Sequence, residues 1–430
     1  MTQNLTETFL KGLIQKSASI PMPVMEQAKK CLLDYMGVVV GGAKYIQEQN
    51  PEFFKTLVKD GGVCSVFGTD YKTTAFHAAW LNGFSAHVLE LDDGHRFGMI
   101  HLGASIISAV LAVAEKEKLD QTNILRGIIM GYEAAIRCAC AVQPSHKVRG
   151  YHVSGTCGTI GSAIGVGFAC NYSLQQFKST LSCAVTSAAG VLEIQEDASE
   201  LKPYNIGRAA MDGVAAATIG ALSLSGPDDI MGGKRGLLGV MTETSSTNYL
   251  VDFSSDTYGI EKIYQKVYAA CRHCHPAIEA AIAIRNDINL QPEQVQKIEI
   301  HTYKLAVSGH DHKEIKGMGS AKLSMPFSVA LAVVKGNTDY ADFNEESIHD
   351  ERILSLARKV DVLEDELLTS QSPAKRAARV TLYSEKGVFK KQVDYPKGEP
   401  ENPIPFEEIR KKANILLKSY HHHFVDFLLK

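Results

Sequence analysis

Gly155-Thr156-Cys157-Gly158-Thr159-Ile160-Gly161-Ser162-Ala163-Ile164-Gly165 is the stretch on which the fold turns. A glycine-rich run can be the phosphate-binding turn of a dinucleotide fold. Here Gly155, Gly158, Gly161, Gly165 and Gly167 do not spell Gly-x-Gly-x-x-Gly, and no strand-like alternation precedes them. The run reads instead as a helix of small side chains, which lets neighbouring helix backbones approach closely in a tight bundle. Ala209-Ala210-Met211-Asp212-Gly213-Val214-Ala215-Ala216-Ala217 repeats the device. Outward from these two runs, the chain from about Thr6 to Ser225 keeps apolar residues at three- and four-residue spacing, broken by glycine and proline, so an all-α body is expected. Gly232-Gly233-Lys234-Arg235 lacks the first glycine and the Ser/Thr of a P-loop, and no Gly-x-Ser-x-Gly elbow appears.

After Gly226-Pro227-Asp228-Asp229 the period changes. Gln294 to Tyr303 and Arg379 to Tyr383 alternate as strands. Glu385-Lys386-Gly387 reads as a turn into a further strand from Val388 to Tyr395. With helices near Pro276–Ile288 and Met325–Val334 these make a small α+β unit. The expected fold is mainly α: a helical main domain over residues 1–255, an α+β lid over 256–399, and an amphipathic helix within 400–430 docking back on the main domain. His421-His422-His423 lies inside that last pattern and is not read as a metal site.

Of 430 residues, 45% are hydrophobic and 22% charged, with a formal net charge of -3, a balance with no bias toward nucleic acid or a membrane surface. The nine cysteines fall largely in apolar helical stretches, which fits a reducing cytoplasm better than a disulfide framework. Met1 to Lys16 shows no basic region followed by an apolar core, and no apolar run is long enough to span a membrane.

The densest chemistry is His87-Val88-Leu89-Glu90-Leu91-Asp92-Asp93-Gly94-His95-Arg96, followed by His101-Leu102-Gly103-Ala104. Gly94 and Gly98 are expected to turn the backbone sharply. His101 would then stand at a helix start, where an anion such as a substrate carboxylate is favoured and an imidazole stays neutral more easily. The plainer reading is an Asp-Asp cap with solvated neighbours. His152 repeats the arrangement before the glycine-rich helix, and Lys202-Pro203 opens another helix of small residues. Cys271, His273, Cys274 and His275 are all ligand types, but adjacent ligands rarely close a tetrahedral site, so a loop entering a helix at Pro276 is preferred to a metal. Lys202 and Lys322 can be anion contacts, although most lysines are solvated.

Taken in order, Asn82-Gly83-Phe84-Ser85-Ala86-His87, Leu91-Asp92-Asp93-Gly94-His95, His101-Leu102-Gly103-Ala104, Tyr151-His152, Lys202-Pro203 with Gly207-Arg208-Ala209-Ala210, Lys266 with Cys271 and His275-Pro276, and Ala321-Lys322-Leu323-Ser324-Met325-Pro326-Phe327 resemble the MmgE/PrpD family. That family includes dehydratases of 2-methylcitrate, decarboxylases of cis-aconitate and epimerases of iminodisuccinate. The resemblance implies a homodimer that needs no metal or cofactor. It implies acidic residues at Glu90, Asp92 and Asp93, histidines at His101 and His152, and lysines at Lys202 and Lys266. It departs from the decarboxylases at Cys271, where they carry a histidine, at Gly94, where they carry a threonine, and near Lys304 to Val307, where their tyrosine finds no counterpart. The expected activity is lyase chemistry on a small di- or tricarboxylate, dehydration first. Asp93, His101, His152, Lys202 and Lys266 would be catalytic, and Glu90, His95, Arg96, Cys271, His275 and Lys322 would contact substrate. Epimerisation of a small dicarboxylate, cis-aconitate decarboxylation and non-catalytic carboxylate binding are the alternatives.

Overall fold

The computed structural model describes residues 4–196, 199–339, 341–418, 420 and 422. The chain is mainly α-helical and forms two compact units. One holds the chain up to Ile194, Leu201–Ile263 and the segment from Pro405 onward, and the other holds Gln195–Glu200 and Tyr264–Ile404.

The first unit is built from α1 (Leu5–Ser17), α2 (Met22–Gln49), α3 (Ala75–Val88), α4 (Gly103–Glu117), α5 (Gln121–Val142), α6 (Val153–Ala169), α7 (Leu174–Ser187) and α8 (Lys202–Gly220). Every residue of α6 is buried. Its glycines let it lie backbone to backbone on α5: a Cβ on Gly161 would sit 2.8 Å from the Gly131 carbonyl oxygen, and one on Gly165 would sit 2.9 Å from that of Gly127. α8 packs on α3, α6 and α7, and a Cβ on Gly207 would lie 2.5 Å from the Trp80 carbonyl oxygen. Side-chain caps start the helices where the backbone amides lack partners: Thr74 for α3, Asp120 for α5, and a Ser173–Gln176 capping box for α7.

The helical reading of this unit needs one correction. Cys64–Ser65 (β1) and Lys72–Thr73 (β2) form a short antiparallel ribbon. Asn82, inside α3, holds it in place, accepting from the Phe67 amide and donating to the Ser65 carbonyl, both at 2.9 Å.

In the second unit α9 (His275–Asp287), β3 (Val295–Thr302), α10 (Met325–Lys335), α11 (Glu351–Arg358), β4 (Val360–Glu364), β5 (Ala378–Ser384) and β6 (Gly387–Val393) give a four-stranded sheet in the order β4-β3-β5-β6 with helices against it. β3 pairs parallel with β4 and antiparallel with β5, and β5–β6 is a hairpin. Two of these strands follow from alternation, as along β5, where Ala378, Val380, Leu382 and Ser384 are buried in turn, and β6 follows from the Glu385-Lys386-Gly387 turn. β4 was not anticipated, because its five residues run from a buried Val360 to exposed Leu363 and Glu364 at the sheet edge.

The C-terminal amphipathic pattern becomes α12 (Phe406–Leu417), packed on α2 so closely that a Cβ on Gly37 would lie 2.8 Å from Ala413 Cα. Of the histidine run, His421 and His423 lie outside the described residues, and His422 Nε2 is 3.0 Å from Ser65 Oγ.

Candidate active site

The chain leaves α3 at Val88 and turns at Glu90, which has φ +54°, a left-handed conformation that costs a residue with a Cβ about 1–2 kcal/mol. The expected glycine turns are not where the strain lies. Neither Gly94 nor Gly98 has a positive φ; Glu90 and Met99 take those conformations. Gly98 serves close packing instead, since its Cβ would sit 3.0 Å from that of Ala139. Backbone hydrogen bonds of 2.8 and 3.3 Å between His95 and Ile100 then return the chain toward His101 and α4.

Within this segment the side chains interlock. His87, fully buried in the last turn of α3, has Nδ1 2.8 Å from Asp92 Oδ2 and Nε2 3.5 Å from Glu90 Oε1. Lys202, the first residue of α8, forms a salt bridge with Glu90. Asp93 accepts from the Gly103 amide at 2.8 Å and from the Tyr132 hydroxyl at 2.6 Å. The start of α4, which the sequence offers to a substrate carboxylate, is thus occupied by the chain's own carboxylate, as the plainer capping reading holds. Gly103 is needed there, because a Cβ would lie 2.7 Å from the Tyr132 oxygen.

Two adjacent carboxyls are driven apart by these partners. Burial pushes the Asp93 carboxyl up to about 6, and the Asp92 and Asp34 charges add to that push against the Tyr132 and Gly103 bonds. Asp92 is equally buried, but His87 and His101, by their charge when protonated and by their hydrogen bonds, outweigh burial and hold it well below the usual carboxylate range.

The two predicted histidines are held in opposite tautomers. His101 Nδ1 lies 3.0 Å from the Asp93 carbonyl oxygen and 3.3 Å from Asp92 Oδ2. A carbonyl only accepts, so Nδ1 carries the proton and the neutral ring has its lone pair at Nε2. His152, the cap of α6, accepts at Nδ1 from the Asn205 amide nitrogen at 3.1 Å, which places its proton at Nε2. The Asn205 orientation is set by a second contact to the Val191 carbonyl at 3.4 Å. Burial first, and then the charge on Lys202 and that of His87 and His101 whenever they are protonated, hold the His152 imidazole well below its ordinary pKa, so it is neutral.

The remaining predicted residues fall in two groups. In the same loop His95 and Arg96 are buried. His95 Nδ1 accepts from the Gly98 amide at 3.1 Å, so that nitrogen serves the loop itself, and the Arg96 guanidinium lies 5.0 Å from the Phe97 ring centre. In the second unit Lys266 is 0% exposed and Lys322 5%, so neither is the solvated lysine that composition suggests. His275 Nδ1 is 2.9 Å from Arg272 Nη1 and Nε2 3.2 Å from the Ala270 carbonyl, which gives this ring a positioning role beside the Arg272–Glu399 salt bridge. Cys271 lies near His310, His273 near Tyr303 and Cys274 near the Leu323 carbonyl, so the four candidate ligands from 271 to 275 turn to different partners.

His87, Asn205 and Tyr132 were given no role from sequence. His87 carries a signal in its place at a helix end beside the acidic segment, where it meets Glu90 and Asp92. Asn205 and Tyr132 carry no such signal. Among the described residues, His87, Asp92 and His101 form a set with ligand atoms within 4.8 Å of one another. Both Nδ1 atoms face Asp92 Oδ2, that of His87 at 2.8 Å and that of His101 at 3.3 Å.

Residues 14–250 match the MmgE/PrpD N-terminal domain and residues 268–423 the MmgE/PrpD C-terminal domain. Similar proteins include a cis-aconitate decarboxylase-like protein of Aspergillus oryzae, 23% identical over 94% of this chain and 88% of the relative. Mouse cis-aconitate decarboxylase is 21% identical over 96% and 86%. Mitochondrial 2-methylcitrate dehydratase of Yarrowia lipolytica is 23% identical over 87% and 76%. Both reactions named for these relatives are lyase reactions. The two family domains follow one another in order over most of the sequence, and the chain belongs to the MmgE/PrpD family.

Proposed function

We propose that this chain is a lyase that removes water from a 2-methylcitrate-like hydroxy acid without a metal or cofactor. The observation that carries the reading is the pair of opposite tautomers. His101 offers a lone pair at Nε2 to take the proton from the carbon beside a carboxylate. His152, neutral, donates a hydrogen bond from Nε2 to the departing hydroxyl, and the proton that His101 has taken passes to that hydroxyl, so a double bond and water result and both rings end neutral. Lys202 supplies positive charge for the carboxylate on which negative charge builds, and its pairing with Glu90 fixes its direction. Asp92 and Asp93 anchor His101, one by side chain and one by backbone. A second reading, decarboxylation of cis-aconitate, is favoured by the names of two relatives that cover nearly the whole chain.

Proton NMR in heavy water, with 2-methylcitrate, citrate, cis-aconitate and small dicarboxylates supplied separately, tests this. Dehydration predicts new alkene signals from a hydroxy acid: a vinyl proton where a CH2 loses the proton, as in citrate, or the methyl doublet of 2-methylcitrate collapsing to an allylic singlet where the methyl-bearing carbon loses it. They should fall by about 10²–10⁴-fold in His101→Gln and His152→Gln, with ligand affinity retained and with no change after chelator treatment. Itaconate from cis-aconitate would replace dehydration with the second reading. Deuterium uptake into an intact dicarboxylate would point to epimerisation, and silence across the panel would remove the substrate class.

A further inference from the structure

The second unit holds a cluster that the dehydration scheme does not use. Cys271 Sγ lies 3.2 Å from His310 Nε2, and His310 Nδ1 lies 2.9 Å from the Ser308 carbonyl oxygen. Because the carbonyl can only accept, the His310 proton sits on Nδ1 and the Nε2 lone pair faces the thiol. This is the arrangement of an activated nucleophile: a thiol, a base within reach, and a third group that fixes the base's tautomer. His273 flanks the pair, its ring 5.0 Å from that of His310 and its Nδ1 2.5 Å from the Tyr303 hydroxyl. The Cys271 amide donates to the Lys322 carbonyl at 2.8 Å, which fixes the thiol's backbone.

The other cysteines provide the contrast. Cys31, Cys64, Cys138, Cys140, Cys157, Cys170 and Cys183 all have thiols pushed up by burial, and Cys274 is fully buried. Cys140 also lies beside a histidine, but at 3.9 Å from His95 Nδ1, which already accepts from the Gly98 amide, and its thiol is pushed up to about 12. Cys271 is half-buried, as are Cys170 and Cys183, and its histidine sets it apart from those two.

We infer that Cys271 and His310 form an activated thiol pair, a covalent modification site for soft electrophiles of the conjugated-alkene class. The Cys271 proton passes to His310 Nε2. The thiolate sulfur then bonds to the β-carbon of an alkene conjugated to a carbonyl, and the π electrons move to the α-carbon, which takes the proton back from Nε2. The net step adds S–H across the double bond and needs no other reactant.

N-ethylmaleimide at substoichiometric amounts on the full native chain, followed by peptide mass mapping, tests the pair. Cys271 should label at least about tenfold faster than any other cysteine, and His310→Gln should slow its labelling about tenfold at neutral pH while the far-UV spectrum is unchanged. Preferential labelling of another cysteine, or a Cys271 rate indifferent to His310→Gln, would overturn it. Should His310→Gln fail to fold, the pH profile of wild-type labelling decides: Cys271 should label fast already at neutral pH, and a rate that climbs only as a free thiol ionises, at about pH 8.5, removes the pair. Labelling requires no turnover, so its outcome is independent of the proposed lyase activity.

Discussion

Asp92 and Asp93 are neighbours in sequence, equally buried, and opposite in behaviour, because one faces two imidazoles and the other a tyrosine hydroxyl and a backbone amide. A carboxyl raised to about 6 takes up its proton in the folded state before the unfolded chain does, so its protonation favours folding at low pH. That contribution is complete below about 4 and is lost as pH rises through about 6. Asp93→Asn removes the titration. The variant should be more stable than the wild type by up to about 3 kcal/mol above pH 7, and the advantage should vanish near pH 4, as read from urea midpoints at both pH values. An advantage independent of pH would show that the Asp93 charge is not its source. Asp92→Asn should behave in the opposite sense, losing stability above the ordinary carboxylate range, since its anion is held by His87 and His101. The candidate site was legible in part: His101, His152 and Lys202 were marked by residue type beside helix starts and Glu90 by its place in the dense acidic segment, and Lys202 meets Glu90 in a salt bridge. Tyr132 and Asn205 were not, because each meets its partner only through tertiary packing, across 39 and 53 residues of chain.

Glycine in a helix interior normally weakens it, by about 1 kcal/mol relative to alanine, so a helix with five glycines needs a packing reason. The reason is visible where α5 and α6 share backbone contacts at Gly131 and Gly161. Gly161→Ala gains helix propensity but brings a Cβ to 2.6 Å from Ala135 Cβ and 2.8 Å from a carbonyl that cannot rotate away. The net change should be a loss of about 1–3 kcal/mol by chemical denaturation, and an unchanged or raised midpoint would mean the two helices separate at little cost. This packing was readable from the small-residue runs, as were the strands whose burial alternates. β4 was not readable because an edge strand with one well-buried position lacks the period-two signal, and the β1–β2 ribbon was not because its strands have two residues each. The Glu90 turn escaped for a different reason: left-handed backbone is normally a glycine property, and here a carboxylate residue carries it between His87 and Lys202.

At the scale of the whole molecule, the chain leaves the first unit after Ile263 and re-enters it at Pro405, so α12 is the last piece of a unit otherwise complete more than a hundred residues earlier. Its Lys412 makes the return specific. The ammonium reaches Asp34 at 2.8 Å on α2 and the Leu91 carbonyl at 2.9 Å, within the acidic segment that also carries Glu90, Asp92 and Asp93. One side chain therefore joins the C-terminal helix to the core and to the backbone of the candidate site. Asp34 is buried, which raises its pKa, and Lys412 opposes that rise. Lys412→Met keeps the apolar stem and removes the charge, leaving a buried carboxylate uncompensated. The expected loss at neutral pH is about 3 kcal/mol, comparable to breaking other buried ion pairs. Because Asp34 then avoids its penalty by taking up a proton, the loss should shrink as pH falls toward 5, and Asp34→Asn combined with Lys412→Met should recover part of it at neutral pH. Urea unfolding of the three chains at two pH values reads all of this. A Lys412→Met midpoint equal to wild type would mean that α12 is held by its apolar face alone, with Ile409, Ala413 and Leu416 sufficient and the acidic segment indifferent to it.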